Sequence, residues 1–79
     1  MKLIKIDSIN QTCSACPSQW DAKTDTGEDV YIRVRHGNFT LDVNGSNVLR
    51  GHPEGVDGCM STSEMISYVN DNFEKVKFI

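Results

Sequence analysis

From residue 29 to residue 43 polar and apolar side chains alternate almost without a break. Val30, Ile32 and Val34 share one parity of Asp29-Val30-Tyr31-Ile32-Arg33-Val34-Arg35-His36, and Phe39, Leu41 and Val43 share one parity of Asn38-Phe39-Thr40-Leu41-Asp42-Val43. A period of two places each set on one side of a strand. The segment therefore predicts a β-hairpin with one buried side. With Gly37-Asn38 as a two-residue turn, Val34 faces Leu41 and Ile32 faces Val43 on that side. Arg33 then faces Asp42 and Arg35 faces Thr40 on the wet side, and every pair is chemically compatible.

Weaker alternation marks the flanking elements. Lys2–Ile9 reads as a half-buried strand with Ile4 and Ile6 together. Ser8–Ser18 reads as a loop, since Ser, Asn, Gln, Thr and Pro dominate it and Pro17 biases Cys16 toward extended backbone. Gln19–Thr24 is a second strand, followed by a turn at Asp25-Thr26-Gly27-Glu28. Asn44-Gly45-Ser46-Asn47 is a further hairpin turn leading into a short strand, Val48-Leu49-Arg50. After a glycine-punctuated loop from Gly51 to Gly58 the period changes to that of a helix. Ser61 is its N-cap, Glu64 completes a capping box, and Met60 with Met65 forms a hydrophobic staple. Met65, Ile66, Val69 and Phe73 fall on one stripe. The tail from Lys75 to Ile79 alternates weakly and reads as an edge strand. These elements predict an α+β fold: an antiparallel β-meander of four to five strands with one C-terminal helix packed on one face.

Composition narrows the function classes. The chain has 79 residues, enough for one domain spanning 1–79, and is 38% hydrophobic and 24% charged. A net charge of −3 speaks against sequence-blind nucleic-acid binding, which depends on many phosphate-neutralising cations. The amino-terminal residues carry charge too often for the apolar middle of a signal peptide, and no stretch is long enough to span a bilayer. Three cysteines are an odd set, which points to reduced thiols in a cytoplasmic protein.

Cys13-x-x-Cys16 raises the question of metal or redox chemistry. Zinc would need two more ligands, and His52 with Cys59 supplies them only at a six-residue separation, longer than the short second pair of familiar zinc modules. A redox pair would sit at a helix start within a βαβ unit, and Pro17 directly after Cys16 in a β-rich setting argues otherwise. The plainest reading makes Cys16 a small buried residue at a strand entry. A zinc-stabilised domain using Cys13, Cys16, His52 and Cys59 stands as the alternative. His36 belongs to a hairpin end. His52 lies near Glu54 and Asp57, where a hydrolase or transferase site would require a geometry that sequence does not display. The glycines of this loop lack the Lys-Ser/Thr of a phosphate loop. A non-enzymatic protein is the expectation.

The wet side of the hairpin is the stronger candidate. Tyr31, Arg33 and Arg35 project from it, and Trp, Tyr and Arg are enriched at binding hot spots. If the 25–28 turn holds two or four residues, Trp20 falls opposite Arg33 and joins them. An odd-numbered turn reverses the parity and sends Trp20 into the core beside Ile32. Such an aromatic and basic face suits a protein partner, or single-stranded nucleic acid through base stacking, which Asp21 and Asp42 would blunt. Val48-Leu49-Arg50 or the tail, as an exposed edge, would allow a homodimer by strand addition.

Cys16-Pro17-Ser18-Gln19-Trp20 together with the stretch from Asp25 to Val43 resembles small proteins of unknown activity from bacteria and their mobile elements. These share a Cys-Pro-x-x-Trp start and a Tyr-Ile-Arg-x-Arg-x-Gly strand. The resemblance covers residues 16–43 and carries no catalytic residues. It implies a compact stand-alone protein of the kind phages carry, and by analogy one that binds and blocks a host factor.

Overall fold

A computed structural model describes residues 3–13, 18–53 and 60–78. The elements in chain order are β1 (Ile4–Cys13), β2 (Ser18–Thr24), β3 (Asp29–Arg35), β4 (Asn38–Val43), β5 (Ser46–Gly51), α1 (Thr62–Asn72) and β6 (Val76–Phe78). They form one six-stranded sheet in the order β5-β4-β3-β2-β1-β6. The first five strands are an antiparallel meander. After α1 the chain returns to the far edge, where β6 runs parallel to β1. Among the described residues the class is α+β with one helix, and the expected four-to-five-stranded antiparallel sheet is replaced by a six-stranded mixed one.

The central hairpin keeps its expected faces but not its expected register. Its turn is His36-Gly37, with φ of 51° and 76°, both in the left-handed region that a two-residue hairpin turn of this hand requires. The pairs become Val30–Val43, Ile32–Leu41 and Val34–Phe39. A turn at Gly37-Asn38 would have set Val30 against Gly45 and left Phe39 opposite His36. The observed register gains a third apolar pair, which offsets the modest cost of a left-handed His. The β4–β5 turn is shorter than expected, with Asn44 and Gly45 at φ 51° and 83° and β5 beginning at Ser46.

β1 extends to Cys13 through what sequence suggests is loop. A bulge between Ile6 and Ser8 resets the alternation, because one extra residue flips every later side chain. Ile6 faces inward opposite Thr24, and beyond the bulge Ile9 and Gln11 face inward opposite Ala22 and Trp20.

The core lies between α1 and the inward side of the sheet. Trp20, Phe39, Ile6, Ile32, Leu41 and Met65 are its largest fully buried side chains. Polar anchors set the entry to the helix. The Trp20 Nε1–H donates to Thr62 Oγ1 (2.9 Å), whose hydroxyl donates to Gln11 Oε1 (3.3 Å). The Met60 N–H donates to the buried Ser18 Oγ (2.9 Å). At the other end Phe39 meets Tyr68 edge-on at 5.1 Å and Phe73 at 6.0 Å. Tyr68 also reaches over Gly51, where an added Cβ would lie 2.2 Å from the phenol oxygen, so the strand end there has no room for a side chain while Tyr68 keeps its place. Lys77 donates to the Asn70 and Phe73 carbonyls, satisfying orphan acceptors at the helix C-terminus.

The capping box is present as expected. Glu64 N–H donates to Ser61 Oγ (3.2 Å), and Ser61 N–H donates to Glu64 Oε1 (3.0 Å). The Ser61 backbone N–H first, and its hydroxyl second, hold the Glu64 carboxyl below the ordinary carboxylate range. A lowered folded-state value gives stability that is present above the unfolded value, about 4.3, and is lost as pH falls through the folded one. Glu64→Gln keeps an acceptor for Ser61 N–H and removes the titration. The stability difference between the two proteins should therefore shrink as pH is lowered from about 5 to about 3. Urea unfolding across that range checks it, and a constant difference would overturn the assignment.

Candidate binding face

The side of the sheet away from α1 carries Gln19, Asp21 and Lys23 on β2, Asp29, Tyr31, Arg33 and Arg35 on β3, and Asn38, Thr40 and Asp42 on β4, alternating with the buried positions. Strict alternation along β3 puts Tyr31, Arg33 and Arg35 together there, as the sequence suggests. Tyr31 and Arg33 are half-buried and Arg35 is exposed.

Trp20 does not join them. The β2–β3 loop has three residues, Asp25-Thr26-Gly27, closed by Thr24 N–H to Glu28 O (3.1 Å) and Gly27 N–H to Thr24 O (3.0 Å), with Gly27 at φ 88°. The Thr24 hydroxyl accepts from Glu28 N–H (3.0 Å) and holds this compact form. An odd loop reverses the parity, so Trp20 pairs with Ile32, Gln19 with Arg33 and Asp21 with Tyr31. Trp20 is 0% exposed, which removes it from the face.

What surrounds Tyr31 instead is acidic. Asp21 and Asp42 are its cross-strand neighbours on either side. They line an open concavity of about 680 Å³ together with Tyr31, Asn10, Lys23 and Asp29. Lys23 is paired with Asp29, and Asp42 Oδ1 accepts from Asn47 Nδ2 (3.0 Å). The next row along the strands is basic: Arg33 pairs with Thr40, and Thr40 with Arg50. The Arg33 Nε is shielded from solvent and has no hydrogen-bond partner. The side chain is therefore covered at least at Nε, although the residue as a whole is half-buried. Arg50 is the residue that sequence reasoning left out of this neighbourhood, whereas Asp21 and Asp42 were expected on the face but not as the two neighbours of Tyr31. Asp42 and Arg50 were within reach of a correct hairpin register, whereas Asp21 depended on the length of the 25–27 loop.

The metal alternative largely falls outside the described residues, which include neither Cys16 and Cys59 nor the Cys13 side chain. His52 is exposed. Among the described residues no group of three or more His, Cys, Asp or Glu is placed to hold a metal ion. Glu54 and Asp57, the acids expected near His52, also lie outside the described residues. His36 occupies the β3–β4 turn. No helix among the described residues is long and apolar enough to cross a membrane. β5 and β6 bound the sheet, so Val48-Leu49-Arg50 and the tail are both edge segments.

Among the described residues the protein is thus of the α+β class, with α1 covering one sheet face and leaving the other open. Compared with family models, curated proteins and solved structures, the chain matches none.

Proposed function

We propose that this is a small, non-catalytic binding protein whose open sheet face engages a protein partner through Tyr31, Arg33 and Arg35. The observation that carries the reading is the half-buried Tyr31 at an open concavity on the side of the sheet that α1 leaves uncovered. A ring held against the sheet with an accessible hollow beside it offers contact area at low ordering cost, as aromatic anchors of interfaces do. The resemblance over residues 16–43 extends the reading to a cytoplasmic, phage- or mobile-element-borne protein that blocks a host factor. Asp21 and Asp42 beside Tyr31 rank protein above nucleic acid, since stacked bases would bring phosphates close to both carboxylates.

Arg33→Glu tests this directly. It should weaken capture of the partner by about 2 kcal/mol or more, as for a hot-spot arginine. Its stability should stay within about 1 kcal/mol of the parent, since the half-buried side chain makes no ion pair among the described residues. A pull-down with quantitative mass spectrometry, run beside a thermal melt, reads both. Unchanged capture, or a variant that unfolds, would sink the proposal. Salt-dependent binding of a labelled oligonucleotide would move the assignment to nucleic acid.

A further inference from the structure

Along the open side of β3 the outward residues run Asp29, Tyr31, Arg33, Arg35, so the charge changes sign along a single strand. The neighbouring strands sharpen the change. Asp21 and Asp42 flank Tyr31, while Thr40 separates Arg33 from Arg50 two strands away. Asp29 is already paired with Lys23, which leaves Asp21 and Asp42 as the acidic pole. Among the described residues Arg33, Arg35 and Arg50 form no ion pair, and the half-buried Arg33 has its Nε shielded and without a hydrogen-bond partner.

We infer that this stripe is a docking track for an extended segment of the protein partner. The segment presents two acidic residues at alternate positions to Arg33 and Arg35. Two positions beyond, it presents a basic residue to Tyr31 between Asp21 and Asp42. This rests on the reading of the face as protein-binding and adds the chemistry of what it binds. The spacing follows from backbone geometry, because same-side residues of any extended chain recur every ~6.6 Å, the interval separating Tyr31, Arg33 and Arg35. Carboxylates meet guanidinium groups through charge-assisted, often bidentate hydrogen bonds. A cation over the Tyr31 ring gains from the ring quadrupole as well as from the two carboxylates. A uniformly anionic ligand would satisfy one pole and be repelled by the other.

Fluorescence-labelled peptides test it. Two carry Lys-Ala-Glu-Ala-Glu and its reverse, which cover both chain directions, and a third, Lys-Ala-Ala-Glu-Glu, has the same composition with adjacent acids. One alternating peptide should bind the full-length protein about tenfold more tightly than the adjacent-acid peptide. Arg33→Glu should weaken that binding about tenfold or more, with Arg35→Glu as an independent second variant and an unchanged thermal melt confirming the fold. Equal affinity for both spacings, binding indifferent to both arginines, or no binding at about 1 mM would overturn the inference. A partner captured through Arg33 that contains no such segment removes this inference alone. A partner captured equally well by Arg33→Glu removes the broader reading too.

Discussion

Trp20→Ala is expected to cost about 3–5 kcal/mol of folding free energy. Two separate losses make it this large. The indole is 0% exposed and packs in the core opposite Ile32, so truncation opens a cavity that neighbouring strands cannot close without breaking their ladder. The indole N–H also donates to Thr62 Oγ1, which in turn donates to Gln11, so the variant loosens the first turn of α1 from β1 and β2. A chain of this length has a total stability of about 4–12 kcal/mol, so the variant should lose a large share of it and unfold at a much lower urea concentration than the parent. Trp20→Phe keeps most of the ring and should lose less, about 1–2 kcal/mol, since Thr62 retains its bond to Gln11. Urea unfolding followed by far-UV circular dichroism measures both. A Trp20→Ala midpoint near that of the parent would mean the ring lies outside the core, and the odd-length β2–β3 loop would be wrong.

The second large effect is at the opposite end of the helix. Phe39→Ala should cost about 3–5 kcal/mol, of which each lost aromatic contact accounts for about 0.5–1.5 kcal/mol. Phe39 is fully buried and touches both Tyr68 and Phe73, which lie 5.6 Å apart. Removing it takes away the sheet-side support of Tyr68 on α1 and of Phe73 at its C-cap at once. A second readout separates this from general softening. Burial pushes the Tyr68 phenol above its ordinary value, against a smaller opposing effect of the His52 backbone. A raised folded-state value gives stability that is fully present below the unfolded value, about 10, and is lost as pH rises through the folded one. In Phe39→Ala the Tyr68 ionisation should move down toward about 10, visible in the ultraviolet tyrosinate band of the folded fraction. An unmoved titration would mean that Phe39 does not shelter Tyr68.

The legible parts of this molecule were those whose signals are local. The capping box needed only Ser61 and Glu64 three residues apart, and both of its hydrogen bonds are present. The buried parities of β3 and β4 needed only alternation, and they survived a two-residue change of register because a shift of two preserves the face. The open face followed to the same extent: Tyr31, Arg33 and Arg35 share it. The central register and the parallel edge strand were missed, and two further points turned on an odd number. One extra residue at the β1 bulge interrupts the alternation of a strand whose polar composition reads as a loop, and the three-residue β2–β3 loop sends Trp20 into the core, one of the two placements that turn parity left open.

From its sequence alone this protein has its strand and helix periods, its turn and cap chemistry, and the sidedness of each strand taken singly, because each is decided within a few neighbouring residues. Only the tertiary structure decided how those sides combine. It set the relative phase of β2 and β3, brought Asp21, Tyr31 and Asp42 into one row and Arg33 into line with Arg50, and seated β6 beside β1. The physical reason is that these arrangements depend on loop closure and on competition among registers with similar local pairing. The balance is settled by total apolar burial against α1, a quantity that belongs to the assembled core and to no single segment.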